Sequence, residues 1–370
     1  MNVPFNDPSR RFVRRRALVA AEVGRLIESG IFIGGSAVAE FEKSFAERCG
    51  CAYGVGVANG ADGLELALRA FGLREGDEVV TVANAGCHST VACLAVGARP
   101  VYADVRPDTL QIHPQALEEA LSVATRAVIV THLYGYMNDV RDIRRQLDRL
   151  GREDVRILEN CAHVHGAQLD GIVAGSIGDA AAFSFHPSKN LGAIGDAGAV
   201  LCQTPAIAER LRALRQYGWT DRYRSLLPGE RSSRMDPLQA LVLSAELPDL
   251  DANNARRREI CGVLAQALPD GWHLVYENSE RFVGHLAVVR APDETARDRL
   301  RTHITKEGIG SEIHFPVLDC DQSAWAGIGR VGRYGLEESR KATQTVLSLP
   351  CFPEMTDGEL EQVVTALRRF

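Results

Sequence analysis

The sequence Ala181-Ala-Phe-Ser-Phe-His-Pro-Ser-Lys-Asn-Leu-Gly-Ala-Ile-Gly-Asp-Ala-Gly-Ala-Val200 places one lysine between two apolar segments. The pattern predicts a short strand before the lysine, a polar turn around it, and a second strand after a glycine-rich segment. Most lysines lie on the surface, so Lys189 is consistent with a solvated loop residue. It is also consistent with an amine held in a pocket, where it can lose its proton and form a Schiff base with a carbonyl cofactor. This stretch alone leaves both interpretations open.

Segments of strand length alternate with amphipathic segments of helix length through the first part of the chain. The predicted strands are 53–57, 78–82, 100–104, 127–131, 155–158, 183–185 and 198–201. The predicted helices are 12–28, 37–48, one that begins at 59–63, 89–97, 114–123 and 140–150. This alternation predicts an α/β fold, with a mainly parallel seven-stranded sheet covered by helices on both faces.

The last third of the chain has a different pattern. A long helical stretch follows Pro237, and then come a predicted strand at 284–290, a helix at 294–307, a strand at 310–315 and a final helix at 357–369. This order predicts a smaller α+β unit. We therefore expect a large domain at 1–245 and a small C-terminal domain at 246–370.

Chemically informative residues follow the predicted strands. In a parallel sheet, ligands bind beyond the carboxyl ends of the strands. At 59–63 a strand, a glycine turn and a helix N-terminus follow one another, which is an arrangement that binds phosphate through free backbone N–H groups. Such turns are common, so this signal is weak by itself. The segments that follow strands are 61–62, 83–88, 132–135, 159–163 and 184–189.

Composition excludes several classes of function. The 370 residues carry a formal net charge of -6, so there is no basic surface typical of nucleic-acid binding. No apolar run is long enough for a membrane span, and no signal peptide is evident. The nine cysteines are odd in number and scattered, and they form no zinc-ligand set. We expect free thiols in a reducing cytoplasm, and no metal site.

Eleven short motifs extend the argument beyond Lys189. In chain order they are 35-GSAVAEF-41, 58-ANGAD-62, 76-GDEVVT-81, 97-GARPVYAD-104, 132-HLYG-135, 159-ENCAH-163 with 166-GA-167, 183-FSFHPSKNL-191, 215-RQYG-218, 233-SRMD-236 with 239-QA-240, 313-IHFP-316 and 349-LPCFP-353. Together they resemble the DegT/DnrJ/EryC1/StrS family of pyridoxal phosphate (PLP)-dependent sugar aminotransferases. Each motif is weak alone, whereas the ordered set spans nearly the whole chain and is highly specific.

The resemblance implies a PLP enzyme of fold type I. Lys189 matches the lysine that binds PLP and then acts as general acid and base. The backbone at Ala61 and Asp62, with the Ser184 hydroxyl, matches the phosphate cradle. His163 matches a position beside the cofactor ring and its phenolic oxygen.

The same resemblance implies an amino-acid donor, L-glutamate in the family, and a keto group of a nucleotide-linked deoxysugar or related carbohydrate as acceptor. It also implies a homodimer with shared active sites, into which residues 232–234 enter from the neighbouring chain. Tyr217, Trp219, Arg234, His285 and His314 are candidate substrate contacts, and structural packing is the alternative for them.

The chain departs from the family pattern at three positions. Asn160 stands where the family has an aspartate that pairs with the pyridine nitrogen, so a charge-assisted hydrogen bond is lost. Gly86 stands where many members have an aromatic residue that stacks on the ring, and His88 could supply that plane. Ser232 stands where members often have an asparagine that reaches the phosphate of the neighbouring subunit's cofactor.

These departures keep two alternatives open. The first is a PLP enzyme with non-transaminating chemistry on a similar sugar, such as a dehydratase. Its weakness is Lys189, since relatives that eliminate water can carry histidine there. The second is an impaired homologue with a regulatory role.

Overall fold

A computed structural model describes residues 3–221, 223–227, 231–276 and 278–370. Its largest sheet has eight strands in the order β1-β9-β8-β5-β4-β2-β3-β14. These strands are β1 (Tyr53–Val57), β2 (Glu78–Val82), β3 (Arg99–Ala103), β4 (Thr125–Thr131), β5 (Arg156–Asn160), β8 (Ala180–Ser184), β9 (Gly198–Cys202) and β14 (Arg330–Val331). The smaller sheets contain β6 (Gln168–Leu169), β7 (Ile172–Val173), β10 (Trp219–Asp221), β11 (Arg224–Ser225), β12 (His273–Leu274), β13 (Ala287–Arg290) and β15 (Val346–Leu349).

Twelve α-helices lie in the described part of the chain. They are α1 (Pro8–Ser29), α2 (Ser36–Arg48), α3 (Gly60–Phe71), α4 (His88–Ala95), α5 (Pro114–Ala120), α6 (Val140–Arg149), α7 (Pro205–Leu214), α8 (Pro237–Glu246), α9 (Leu250–Ala265), α10 (Glu294–Lys306), α11 (Glu337–Thr345) and α12 (Asp357–Arg368). Four single-turn 3-10 helices lie at Leu133–Gly135, Leu247–Asp249, Asp319–Asp321 and Ser323–Trp325. No described helix is long and apolar enough to cross a membrane.

The central strands of the large sheet run parallel, as predicted. Strands β3, β2, β4, β5 and β8 pair in parallel, whereas β9 pairs antiparallel with both β8 and β1. The seven predicted strands are all present, and the α/β prediction is confirmed. The eighth strand, β14, contributes two residues from the C-terminal third and pairs in parallel with β3.

Alternating residues of the sheet pack against different helices. Ala182 and Val200 belong to an apolar cluster with α3, whereas Phe183 and Leu201 belong to a second cluster with α2 and α8. Successive side chains of a strand point to opposite faces, which explains this division. The helices on both faces leave the carboxyl ends of the strands as the open edge where a ligand can bind.

The C-terminal third is built on the three-stranded antiparallel sheet β12-β13-β15. The predicted strand at 310–315 is wrong, since this segment forms a single isolated bridge, between Glu312 and Ser348. A second isolated bridge joins Val3 to Ile309, just before this segment. The predicted strand at 284–290 is shorter than expected, because only Ala287–Arg290 pairs with neighbours. The boundary between residues 245 and 246 falls in the last turn of α8 and stays a prediction.

Candidate active site

A cavity of about 370 Å³ lies where β4, β5 and β8 end. It brings together six of the residues singled out from the sequence, which come from four separate segments of the chain. They are Ala61, His88, Asn160, His163, Ser184 and Lys189. The volume lies within the range of small-molecule sites, about 300–1,000 Å³.

Lys189 is half-buried, and its backbone is held on both sides. Its N–H donates to the carbonyl of His186 at 2.8 Å, and its own carbonyl accepts from Arg11 Nη1 at 2.9 Å. Arg11 lies on α1 and is buried. Desolvation lowers the pKa of the Lys189 amine to about 8, because burial disfavours its charged form. Much more of this amine is therefore neutral near pH 7 than for an ordinary lysine.

The N-terminus of α3 forms one wall of the cavity. Asn59 caps the helix, and its Oδ1 accepts from the backbone N–H of Asp62 at 2.8 Å. The N–H groups of Gly60 and Ala61 have no partner in the described part of the chain. A Cβ at position 60 would lie 2.6 Å from Ser184 Cβ, so glycine allows the helix to approach this hydroxyl residue. Two free N–H groups, a helix N-terminus and a hydroxyl are a donor set that fits a phosphate.

The carboxylate of Asp62 points away from this donor set and binds the segment at 231–233. It accepts from Ser233 Oγ at 2.6 Å and from Arg231 Nη2 at 2.5 Å. Ser233 Oγ also accepts from the N–H of Ala58 at 3.3 Å. Sequence reasoning missed Arg231 and Ser233, and it selected Ser232 instead, whose side chain is exposed. Asp62 therefore fixes a loop in place, while its N–H is occupied by the cap.

A buried polar edge lies at the ends of β4 and β5. Asn160 is 6% exposed, and its Oδ1 accepts from the N–H of Ala162 at 3.2 Å. Thr131 pairs with Asn160 in the sheet register, and its Oγ1 is buried without a partner among the residues that the structure describes. An orphaned buried hydroxyl costs free energy unless a ligand satisfies it. A planar ring with polar substituents fits such an edge.

His163 is held in one tautomer. Its Nδ1 accepts from the N–H of Tyr134 at 3.3 Å, so Nε2 carries the proton. Burial lowers the His163 pKa well below its ordinary value, and the neighbouring Lys189 acts in the same direction. The ring packs on His285 with 4.3 Å between centroids. His163 is therefore a neutral hydrogen-bond donor at the cavity wall.

Glu159 lies on β5 beside Asn160, and it binds main-chain N–H groups. Its two oxygens accept from the N–H groups of Gly175, Ile177 and Gly178 and contact His132 Nε2 at 3.0 Å. Burial alone would raise the pKa of Glu159, but these hydrogen bonds hold it below its usual value. Glu159, His132 and Cys161 lie close enough to share an ion. Both groups of the Glu159–His132 pair already have protein partners, so we assign it a structural role.

Gly86 adjoins an aromatic ring that sequence reasoning missed. A Cβ at Gly86 would lie 2.7 Å from Cζ of Phe315, so the Phe315 ring occupies the space of a side chain at this position. His88 begins α4 and lines the cavity, although its side chain is largely exposed. The turn before it is anchored by Asp319, which accepts from the N–H of Cys87 at 2.9 Å. Phe315 lies in the motif 313-IHFP-316, more than 200 residues away in the chain, so no local signal could reveal that it contacts Gly86.

The candidate substrate residues do not line this cavity within one chain. Tyr217 is 39% exposed and contacts Trp219 and Arg234. His285 is buried, and its Nδ1 pairs with Asn190 Oδ1 at 2.9 Å.

His314 pairs through Nδ1 with Ser348 Oγ at 2.9 Å, and burial lowers its pKa to about 4. Whether any of these residues contacts substrate stays a prediction.

Comparison with known proteins gives a consistent picture. The model of the DegT/DnrJ/EryC1/StrS aminotransferase family matches residues 15–368. The dTDP-3-amino-3,6-dideoxy-alpha-D-galactopyranose transaminase of Aneurinibacillus thermoaerophilus is 37% identical over 370 residues, which covers 100% of this chain and 99% of that protein. The crystal structure of DesV from S. venezuelae in complex with a ketimine intermediate is 36% identical, with a TM-score of 0.93 over 100% of this chain and 98% of that one. NtdA from Bacillus subtilis with bound cofactor PMP is 26% identical, with a TM-score of 0.89 over 100% of this chain and 85% of that one.

Proposed function

Because the chain belongs to the DegT/DnrJ/EryC1/StrS aminotransferase family, we propose that it moves an amino group from L-glutamate to a keto group of a nucleotide-linked deoxysugar. The observation that supports this most directly is the cavity in which the Lys189 amine and the N-terminus of α3 share one space. A reactive amine beside an anion-binding helix end suits a cofactor that has both a carbonyl and a phosphate.

We propose PLP as that cofactor. When bound, PLP supplies a carbonyl that accepts an amino group and a ring that withdraws electrons from the reacting carbon. The N–H groups of Gly60 and Ala61 and the Ser184 hydroxyl would bind the phosphate. The neutral His163 would donate from Nε2 to the phenolic oxygen, and Asn160 would contact the ring nitrogen.

Lys189 holds and moves the proton in this scheme. Its lowered pKa lets the amine give up a proton near neutral pH and take one back at the same atom. Arg11 fixes the backbone of Lys189, so the side chain pivots from a defined position. Asp319 anchors the Gly86–Cys87 turn, and the Phe315 ring lies against Gly86. Because this turn lies between the lining residues Ala85 and His88, we expect it to limit the access of water to the cavity.

For the sugar, the relatives suggest a keto group on a hexose linked to a nucleoside diphosphate. The Aneurinibacillus relative is named for a dTDP-linked 3-amino-3,6-dideoxy sugar. We therefore place dTDP-linked 3-keto-6-deoxyhexoses first among the substrates to be tested, with UDP-linked keto sugars next.

We further propose that the enzyme is a cytoplasmic homodimer. The cavity of one chain lacks Ser232, Arg234, Tyr217 and Trp219, which the resemblance assigns to shared sites or to substrate contact. Ser232 is exposed and therefore available to a second chain. The nine cysteines lie unpaired in the structure, and the proposed reducing compartment would keep them as thiols.

The proposed function is tested in two stages. Purified protein is mixed with PLP and reduced with borohydride, and peptide mass spectrometry is expected to find the cofactor on Lys189, whereas Lys189→Ala remains unlabelled. The holoenzyme is then mixed with glutamate, and the absorption band is expected to shift to that of the amine form. A panel of dTDP- and UDP-linked keto sugars then identifies the acceptor. Labelling without conversion by glutamate would instead favour non-transaminating chemistry, and an absence of labelling would refute the PLP assignment.

A further inference from the structure

The orientation of the Asn160 amide is fixed by the main chain. The N–H of Ala162 faces Asn160 Oδ1 at 3.2 Å. A backbone N–H can only donate, so the atom opposite it must be the amide oxygen. The flipped amide would set two donors against each other. The amide nitrogen has no partner in the described part of the chain, and it is the atom that remains for a ligand in the cavity.

The neighbour of Asn160 on the sheet offers a second polar group to the same ligand. Thr131 lies opposite Asn160 in the parallel register of β4 and β5, and its hydroxyl is buried with no hydrogen-bond partner in the described part of the chain. The free amide N–H of Asn160 can only donate, whereas the Thr131 hydroxyl can donate or accept, so Asn160 sets the preference. This edge of the cavity is therefore suited to a hydrogen-bond acceptor.

No carboxylate among the described residues is placed to reverse that preference. The nearest one in sequence, Glu159, is engaged by main-chain N–H groups and by His132. His132 is engaged at both ring nitrogens, since Nδ1 accepts from the N–H of Asn138 at 2.9 Å and Nε2 faces Glu159 at 3.0 Å.

The other charged groups around the cavity also supply no effective negative charge to this edge. Asp62 is paired with Arg231 and Ser233. Asp196 lines the cavity and is exposed, so water screens its charge. The remaining titratable groups of the lining are Lys189 and histidines, and none of them supplies a negative charge.

On the basis of the function proposed above, we propose that the Asn160 amide donates a hydrogen bond to the pyridine nitrogen of PLP, and that this enzyme uses the cofactor with that nitrogen unprotonated. A pyridine nitrogen accepts a hydrogen bond only through its lone pair, so protonation would remove the acceptor. A pyridinium N–H would face a donor without a counter-charge in a buried site. The ring would then withdraw electrons less strongly from the reacting carbon. The rate would therefore depend more on proton transfer by Lys189.

The test reads the ring nitrogen directly. The holoenzyme is prepared with PLP labelled with ¹⁵N in the ring, and its ¹⁵N resonance is recorded between pH 6 and 9. We expect the wild type to resonate where neutral pyridine models do, without a titration step in this range. A resonance at the pyridinium position would overturn the proposal.

Two variants bracket this result. In Asn160→Asp the resonance is expected to move to the pyridinium position, because a carboxylate stabilises the charged ring. The half-reaction with glutamate is expected to become faster in the same variant, by roughly tenfold. Thr131→Val is the control, because it changes the residue next to Asn160 in the sheet without introducing a charge. Its resonance is expected to stay at the neutral position. A pyridinium signal in Thr131→Val would show that Asn160 does not set the protonation state.

The role proposed for Asn160 and the proposed function can fail independently of each other. Borohydride labelling of Lys189 reports whether PLP is bound at all, and a failure there refutes the function. Labelling of Lys189 together with a pyridinium resonance in the wild type refutes only the role of Asn160. The wild-type spectrum decides the matter even where Asn160→Asp does not fold.

Discussion

Lys189 combines a fixed backbone with a perturbed amine. Arg11 and the carbonyl of His186 hold the main chain, while desolvation acts on the side chain alone. A lowered pKa means that the folded chain releases this proton at a lower pH than an unfolded chain does. The amine is therefore mostly charged below about pH 8 and mostly neutral above it.

This difference predicts the pH dependence of cofactor binding. Only the neutral amine attacks a carbonyl, so the rate of covalent attachment of PLP to cofactor-free protein is expected to rise about tenfold per pH unit below the pKa and to level off above about pH 8. Stopped-flow absorbance measures this rate. A simple amine such as Nα-acetyl-lysine is the control, and its rate should continue to rise towards pH ~10.4. A profile of the protein that follows the control would show that the site does not perturb Lys189.

At the scale of elements, the approach of α3 to β8 depends on one glycine. The backbone of Gly60 begins the helix, and a Cβ there would lie 2.6 Å from the Ser184 Cβ and 3.1 Å from its Cα. Real Cβ atoms do not approach other atoms this closely, so either the helix or the strand must shift. The N–H groups and the hydroxyl proposed to bind the phosphate belong to these two elements.

Gly60→Ala is therefore expected to weaken PLP binding at least tenfold, or by about 1.4 kcal/mol. Fluorescence titration of the cofactor-free protein measures the affinity. Gly358 in the first turn of α12 provides the matched control, because nothing lies within 4 Å of a Cβ there. Gly358→Ala should leave PLP affinity unchanged and stabilise the fold by up to ~1 kcal/mol. Equal affinity in both variants would contradict the proposed phosphate site.

The elements also show what could be predicted from the sequence. The sheet strands and the residues after them were predictable, because hydrophobic periodicity and the order of parallel strands are local properties. The segment at 310–315 has an apolar pattern typical of a strand, but its single bridge is to Ser348. Whether such a segment pairs as a strand is decided by tertiary contacts and not by its own pattern. The contacts of Arg11 and Phe315 with the site join segments far apart in the chain, so no local pattern contained them.

For the whole molecule, a group of exposed apolar side chains lies where α1 ends and the chain leads into α2. Ile31, Phe32 and Ile33 are 53%, 56% and 55% exposed, and Ile27 on the preceding turn of α1 is 63% exposed. A contiguous apolar group of this kind typically marks a protein–protein contact. In the proposed homodimer, whose shared sites need residues from a second chain, the second subunit would cover this surface.

The variant Phe32→Glu tests this interpretation, because a charge in an apolar interface must be desolvated without a partner. We expect it to convert the dimer to a monomer in sedimentation velocity experiments and to reduce transamination strongly, while circular dichroism stays unchanged. Val123→Glu is the matched control, since Val123 is 92% exposed and stands alone. It should remain dimeric and active. If Phe32→Glu stays dimeric, the apolar segment is not the interface, whereas a fully active monomer would show that each chain holds a complete site. The two results separate where the subunits meet from whether the site requires both of them.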